Sequence, residues 1–368
     1  MKVKSANTLL CAGALMCASS TGALAQHSVR ILTEVERIEN PGLLSVNLGG
    51  ATVLRAAAEY SYVSSSDRIR SRFSAGAVLE RSSNTLLLAS RNYPSLGYTW
   101  AYNWPTANLE LRANLAEAAT RNTQFEELGL VTVDARERTV VTGAQWNKDL
   151  TERTQLRLDV ANNRVSYDSA VLAGYRELEM TSRLSWAQSE RTTYYFEPGY
   201  ARLTPLGAGA ESNLTRWAVG TRGELSPNWA LGAFAGQARA SGAASIRTAL
   251  GGLQLTYTGS QLTSGIEWSR DLQPVGTAAS YVRTEALGLV MGYQLTQSAR
   301  ISASTTRSRS GGVAGGVGHL TRLTLENELS ERWSSTLGVE DRKFRGVTGT
   351  TGRGWAIRAG LIYLYSEL

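Results

Sequence analysis

One short unit recurs along this chain, and its period limits what the chain can fold into. Around Leu325-Glu-Asn-Glu-Leu-Ser-Glu-Arg-Trp333, the apolar Leu323, Leu325 and Leu329 alternate with Arg322, Glu326 and Glu328. After the polar break, Trp333, Leu337 and Val339 stand against Ser334, Thr336, Glu340 and Arg342. A period of two on both sides of a short polar turn is the pattern of a β-hairpin. Asp149–Leu156, Glu224–Leu231 and Gln294–Ile301 repeat the unit. A chain of such repeats is all-β and antiparallel, each strand pairing with the next.

Residues 1–25 read as an export signal peptide, with basic Lys2 and Lys4, an apolar run from Leu9 to Ala18 and a small-residue cleavage site at Ala23-Leu-Ala25. Removing Lys2 and Lys4 lowers the net charge from +7 to +5, a mild excess without like-charge blocks, which gives no reason to expect a nucleic-acid partner. Cys11 and Cys17 both lie in the leader, so the exported chain has no disulfide or cysteine metal site. No apolar run after residue 26 approaches the length of a membrane helix. A membrane-spanning form of this chain is therefore a closed barrel.

The strands read as His27–Glu39, Thr52–Tyr62, Arg68–Glu80, Tyr98–Asn103 and so on to a last strand, Gly354–Tyr365. Residues 81–95 read as a loop containing an ambiguous apolar run, Leu86-Leu-Leu-Ala89, and Ser310–His319 and Arg345–Arg353 as Gly- and Ser-rich loops. Short polar turns alternate with longer loops, as in outer-membrane barrels, where the short turns are periplasmic. The count is about eighteen strands, with sixteen as the alternative. The expected architecture is a transmembrane, up-and-down β-barrel of residues 26–368, one domain, in the outer membrane of a Gram-negative bacterium.

Tryptophan positions indicate which face meets lipid. Trp104, Trp146, Trp186, Trp229 and Trp333 adjoin short turns, whereas Trp217, Trp268 and Trp355 fall at the loop ends of their strands. Two aromatic levels with aliphatic residues between them match the interfacial girdles of a membrane barrel. The opposite face carries Arg157, Asp159, Glu177, Glu179, Arg183, Arg216, Arg222, Glu224, Arg322, Glu340, Arg342 and Arg358. So many charges cannot fill a dry core, so they are expected to line an aqueous lumen. Their mixed signs favour solvation and cross-strand ion pairs over a one-sign selectivity filter.

No catalytic, cofactor-binding or metal-binding constellation is readable, and the chain is expected not to be an enzyme. His27 and His319 are the two histidines and have no ligands at metal-site spacing. Asp168 and Asp271 are the conceivable acidic partners for His319, without a motif to support either. Gly311-Gly-Val-Ala-Gly-Gly-Val-Gly318 lacks the Lys-Ser/Thr of a phosphate-binding loop. Inward Tyr195 and Phe234 are candidate sugar-stacking rings.

Several segments resemble outer-membrane β-barrel proteins found with bacterial exopolysaccharide synthesis and export, the type 2 β-barrel porins. They are Glu36–Leu44, Gln124-Phe-Glu-Glu127, Ser166-Tyr-Asp168 with Leu172 and Tyr175, Ser189-Glu-Arg-Thr192, Ser269–Pro274 and Val282–Glu285. The resemblance implies an eighteen-stranded barrel that passes polysaccharide outward with periplasmic and inner-membrane export proteins. The expected partners are thus outer-membrane lipid and lipopolysaccharide, the barrel-assembly machinery, and polysaccharide with its export apparatus. A general diffusion porin for small solutes, and a structural or adhesive barrel without transport, stand as alternatives.

Overall fold

The computed structural model describes residues 24–123, 134–242, 245–276, 279–311, 315–347 and 349–367. The expected leader, apart from its last two residues, and the Gln124–Glu127 segment lie outside them. The first six strands are β1 (Leu24–Glu39), β2 (Gly50–Ser65), β3 (Ile69–Ser82), β4 (Arg91–Trp104), β5 (Ala107–Ala119) and β6 (Arg136–Asp149). The next six are β7 (Thr154–Tyr167), β8 (Tyr175–Ala187), β9 (Thr192–Pro205), β10 (Ser212–Ser226), β11 (Trp229–Ser241) and β12 (Ile246–Thr258). The last six are β13 (Leu262–Val275), β14 (Ser280–Gln294), β15 (Ala299–Ser310), β16 (Gly316–Glu328), β17 (Trp333–Gly346) and β18 (Thr351–Glu367). Each pairs antiparallel with the next, and β1 pairs with β18 from His27↔Glu367 to Glu39↔Trp355, closing an 18-stranded barrel.

One end of the barrel has turns of two to four residues and the other has connections of four to sixteen. Local chemistry sets the short turns. In Leu150–Arg153, the Leu150 and Thr151 N–H groups both donate to the Thr154 carbonyl, and Thr151 Oγ1 accepts from the Arg153 and Thr154 N–H groups. Leu295–Ser298 and Leu329–Arg332 close in the same backbone pattern. The Glu224–Leu231 unit is not a copy of this turn. Pro227 has no N–H and a preset φ, so the chain turns in two residues, with a register shift between Glu224 and Ser226.

Three expected loops are partly strand; in Arg345–Arg353, β17 runs on to Gly346 and β18 already starts at Thr351. β4 starts at Arg91, within the expected 81–95 loop, because Pro94 is tolerated: β4–β5 pairing ends at Ser95↔Ala116, beyond which the missing proline N–H leaves no bond unmade on that side. β16 starts at Gly316, so His319 is a strand residue and not part of a Gly-rich loop.

Register decides the faces. Cα partners Leu323↔Val339↔Ile357 and Leu325↔Leu337↔Ala359 lie on one face, Arg322↔Glu340↔Ala356 on the other. The first face is bare: Leu337, Val339, Ile357 and Leu361 are each 44–50% exposed. An uninterrupted exposed apolar surface on a closed barrel is a lipid-facing surface. It is bounded at the short-turn end by Trp333 against Tyr363, Trp229 against Tyr257 and Trp186 against Tyr194, with ring centroids 5.0, 5.0 and 6.2 Å apart. Trp146 joins this edge beside Leu158, while Trp217, Trp268 and Trp355 point outward nearer the long-loop end. From Trp333 to Asp341, beside Trp355, is eight residues, roughly 27 Å along the strand and about 20 Å along the membrane normal at the usual tilt.

Leu337 sits midway between the two girdles on the lipid face. Replacing it with Arg is expected to lower the equilibrium stability of the barrel in lipid vesicles by about 2–4 kcal/mol, measured by urea titration. The same change at inward-facing Thr336 is expected to cost much less; equal costs would contradict the face assignment.

Candidate functional site

The inner face of the barrel is the candidate site. On the β5–β10 wall, Arg112 donates to Asp159 at 3.0 Å, with Arg157 3.7 Å from the same carboxylate. Arg183 reaches Glu197 at 2.5 Å, and Arg216 lies 2.6 Å from Glu179 and 3.8 Å from Asp271 of β13. These side chains, apart from Asp271, line one recess of about 250 Å³. Four guanidinium groups thus face four carboxylates, and Arg157 keeps 43% of its side chain exposed to the lumen. Arg222 and Glu224 belong to the same face but stand apart near the short-turn end; among the described residues neither has an ion pair.

The opposite wall carries a denser network. Glu340, with no exposed surface, accepts from Arg322 at 2.6 Å, from Arg358 at 2.5 Å and from Arg342. Arg358 is the register partner of Glu36, which leads to Arg55. Arg55 also pairs with Glu34 and, at 2.7 Å, with Glu80. Glu80 in turn meets Arg121 at 2.6 Å, and Arg121 meets Asp134 at 2.8 Å. Charges alternate across the strands from β16 to β3, so no buried ion is left uncompensated. Arg121 lies among the helical residues 120–123, which fold into the lumen, and its carbonyl accepts from Arg342 of β17. Burial opposes its charge, but Glu80 and Asp134 outweigh that and hold the guanidinium above its ordinary pKa.

The long-loop end of the lumen is not open. The β13–β14 hairpin folds inward and divides it. Tyr281 donates its hydroxyl to Glu177 of β8 at 2.7 Å, and the Ala173 N–H donates to the Gly276 carbonyl at 2.7 Å. Leu272, Ala279 and Tyr281 pack on inward residues of β7–β12, including Val165, Tyr175, Leu203, Leu214 and Leu250. Val275 and Val282 meet Phe344 on β17. A Cβ on Gly276 would stand 2.6 Å from the Tyr167 ring, so only glycine allows this approach.

Two more connections enter the lumen. Leu43 of the β1–β2 loop packs with Leu320 and Phe344, and its carbonyl lies where a Cβ on Gly352 would be, 1.7 Å away. Leu88, from the ambiguous run in the β3–β4 loop, is buried on Ile38, Ala51, Val53 and Ala356. These anchors, with Arg55, Glu80, Arg121 and Tyr281, were not legible as lumen residues. The usable signals were the period-two position of Arg55 and Glu80, and an apolar run in a loop with no lipid face to join.

Other candidates resolve differently. Tyr195 lies against Gly220 and is covered by the Arg183 guanidinium, 4.5 Å from its centroid, while Phe234 lies on Gly252. Neither ring is a bare stacking platform. His319 points outward on β16, whereas Asp168 accepts from the Arg136 N–H at 2.6 Å and Asp271 faces Arg216. The structure does not bring these residues together. Among the described residues, no group of His, Cys, Asp and Glu could hold a metal ion.

No family model matches this sequence, and no curated protein matches it. The resemblance to exopolysaccharide-associated barrels therefore rests on the short segments alone. The fold does match solved structures. The crystal structure of OccK2 (OpdF) from Pseudomonas aeruginosa superimposes with a TM-score of 0.56 at 12% identity, covering 95% of this chain and 100% of that one. The same protein in complex with glucuronate gives 0.55 at 11% identity, with the same coverage. OccAB4 from Acinetobacter baumannii gives 0.53 at 11% identity, covering 93% of this chain and 98% of that one. The chain thus has the fold of the outer-membrane porins, a closed antiparallel barrel of 18 strands with its apolar belt turned to lipid.

Proposed function

We propose that this protein is an outer-membrane channel for small polar solutes. The observation that carries the reading is the inward β13–β14 hairpin, which divides a charge-lined lumen at its long-loop end. On this reading, solutes pass beside the hairpin, between the ion-paired walls. The balanced pairing of Arg112, Arg157, Arg183 and Arg216 with Asp159, Glu179, Glu197 and Asp271 supports passage of polar molecules with little preference for sign. One barrel of the same fold is recorded with glucuronate, a solute of the right size and polarity for a first trial. Export of polysaccharide draws no support from the interior. A chain in transit needs an unobstructed bore and exposed aromatic faces, whereas four connections fold into the lumen and Tyr195 is covered by Arg183.

Purified barrel in a planar bilayer is expected to give small ohmic conductance steps with a cation-to-anion permeability ratio near unity. In vesicle-swelling assays glucose and glucuronate enter and a long dextran does not. No conductance would leave a structural barrel; passage of the dextran would restore the export reading.

Deleting 273–280 removes the hairpin tip and is expected to raise the conductance step several-fold. Tyr281→Phe removes one hydrogen bond to a carboxylate, worth about 1.5–3 kcal/mol, and is expected to add flicker to otherwise steady openings. An unchanged conductance in the deletion would show that the hairpin is not the constriction.

A further inference from the structure

The ends of β15–β18 nearest the long loops carry a second charged surface, on the outside of the barrel. Register sets Arg307, His319, Lys343 and Arg353 side by side, with Arg309 and Arg345 on the next outward row. All six are exposed, while the alternate positions Ser308, Gly318, Gly352 and Gly354 are buried toward the lumen. The row below is that of Asp341 and Trp355, the upper aromatic edge. Two and four residues further along a tilted strand lie roughly 5 Å and roughly 10 Å beyond that edge. The phosphates of an outer leaflet occupy this zone, between the acyl chains and the sugars.

Several other basic residues on the outer face are neutralised locally, and the remaining outward arginines stand only two together, Arg164 beside Arg176 and Arg239 beside Arg247. Arg37 pairs with Glu39 at 2.5 Å, Arg138 with Glu117 at 2.6 Å, and Arg202 with Glu211 at 2.5 Å. In the patch, Asp341 engages Arg353 at 2.8 Å and Lys343 at 3.3 Å. At its β14 edge, Glu285 faces Arg309 in register but binds the Trp268 indole N–H at 3.1 Å and Arg270 at 3.3 Å. Arg307, Arg309 and Arg345 form no ion pair among the described residues. A cleft of about 650 Å³ runs between Arg307, His319, Lys343, Arg345 and Arg353, with Ser45 and Asn47 of the β1–β2 loop along its lip.

We propose that this surface is a lipopolysaccharide site, in which the guanidinium groups of Arg307, Arg309 and Arg345 bind lipid A phosphates while the acyl chains lie on the apolar belt below. Planar guanidinium forks match phosphate oxygens in two-point hydrogen bonds, and the uncompensated positive charge supplies the attraction. An outward position against the belt selects a lipid over a soluble anion, which the lumen would receive instead. The proposal rests on placement in an outer membrane and is independent of transport, so conductance results leave it standing.

The test uses the full barrel, refolded in neutral detergent, and purified lipid A bearing two phosphates, with fully dephosphorylated lipid A as the comparison. Native mass spectrometry reads the bound fraction. The wild type is expected to retain the phosphorylated lipid and release it as salt is raised. The triple variant Arg307→Gln, Arg309→Gln, Arg345→Gln is expected to bind it about tenfold more weakly or worse. The dephosphorylated lipid should bind both proteins equally poorly. A heat-modifiable gel shift checks that the variant is folded; if it is not, the single variants R307Q and R345Q carry the comparison. Equal binding of phosphorylated lipid by wild type and folded variant would overturn the proposal, as would equal retention of the two lipids or displacement by equimolar inorganic phosphate.

Discussion

The ladder between β1 and β18 turns a ribbon of hairpins into a membrane protein. Hydrocarbon offers no partner to a backbone N–H or C=O, and each unmet group there costs several kcal/mol. Closure from His27↔Glu367 to Glu39↔Trp355 leaves no free strand edge along the belt. Once closed, period-two alternation sorts every side chain to lipid or to lumen. A shift of one residue in any pair would put Glu340 in the bilayer and Leu337 in the lumen.

That sorting turns the usual arrangement of a globular protein inside out, and the interior has to be made compatible with buried charge. It does so by alternation. Glu340 among three guanidinium groups and Arg55 among three carboxylates are complementary clusters, joined where Arg358 meets Glu36 in register. Removing one member would leave a buried partner such as Glu340 or Glu80 undercompensated, so the network is cooperative and its loss costly. Apolar packing is confined to the long-loop end, where Leu203, Leu88 and Val53 have almost no exposed surface. There it holds the inward connections against the wall. The lumen thus has polar walls for most of its depth and a packed partition at one end.

The barrel was legible in the sequence because its two determinants are local. Alternation gives the strand faces, as Leu323, Leu325 and Leu337 show, and tryptophan spacing gives the belt height. The interior was harder to read because its contacts join residues remote in the chain. Tyr281 and Glu177 are 104 positions apart, and no local pattern marks their meeting. The β13–β14 segment alternates like any other strand pair, so its bend into the lumen has no periodic signature. Leu86–Ala89 carried a partial signal: Leu88 is buried against the inner wall, whereas Leu86 is almost wholly exposed. Two of the boundary differences trace to composition. Pro94 and the glycines before His319 suggested breaks at positions where the ladder has a free side or a buried inner face.

The inside-out assignment is the central claim, and the sequence makes it simple to test. Cys11 and Cys17 both precede residue 26, so the barrel itself is free of thiols. Single cysteines at Thr324, Leu325, Thr336 and Leu337 alternate between lumen and lipid in register. After reconstitution into vesicles, a charged, membrane-impermeant maleimide is predicted to label Thr324→Cys and Thr336→Cys and to leave Leu325→Cys and Leu337→Cys unmodified until the membrane is dissolved. Labelling of all four alike, or of the leucine positions alone, would contradict the account.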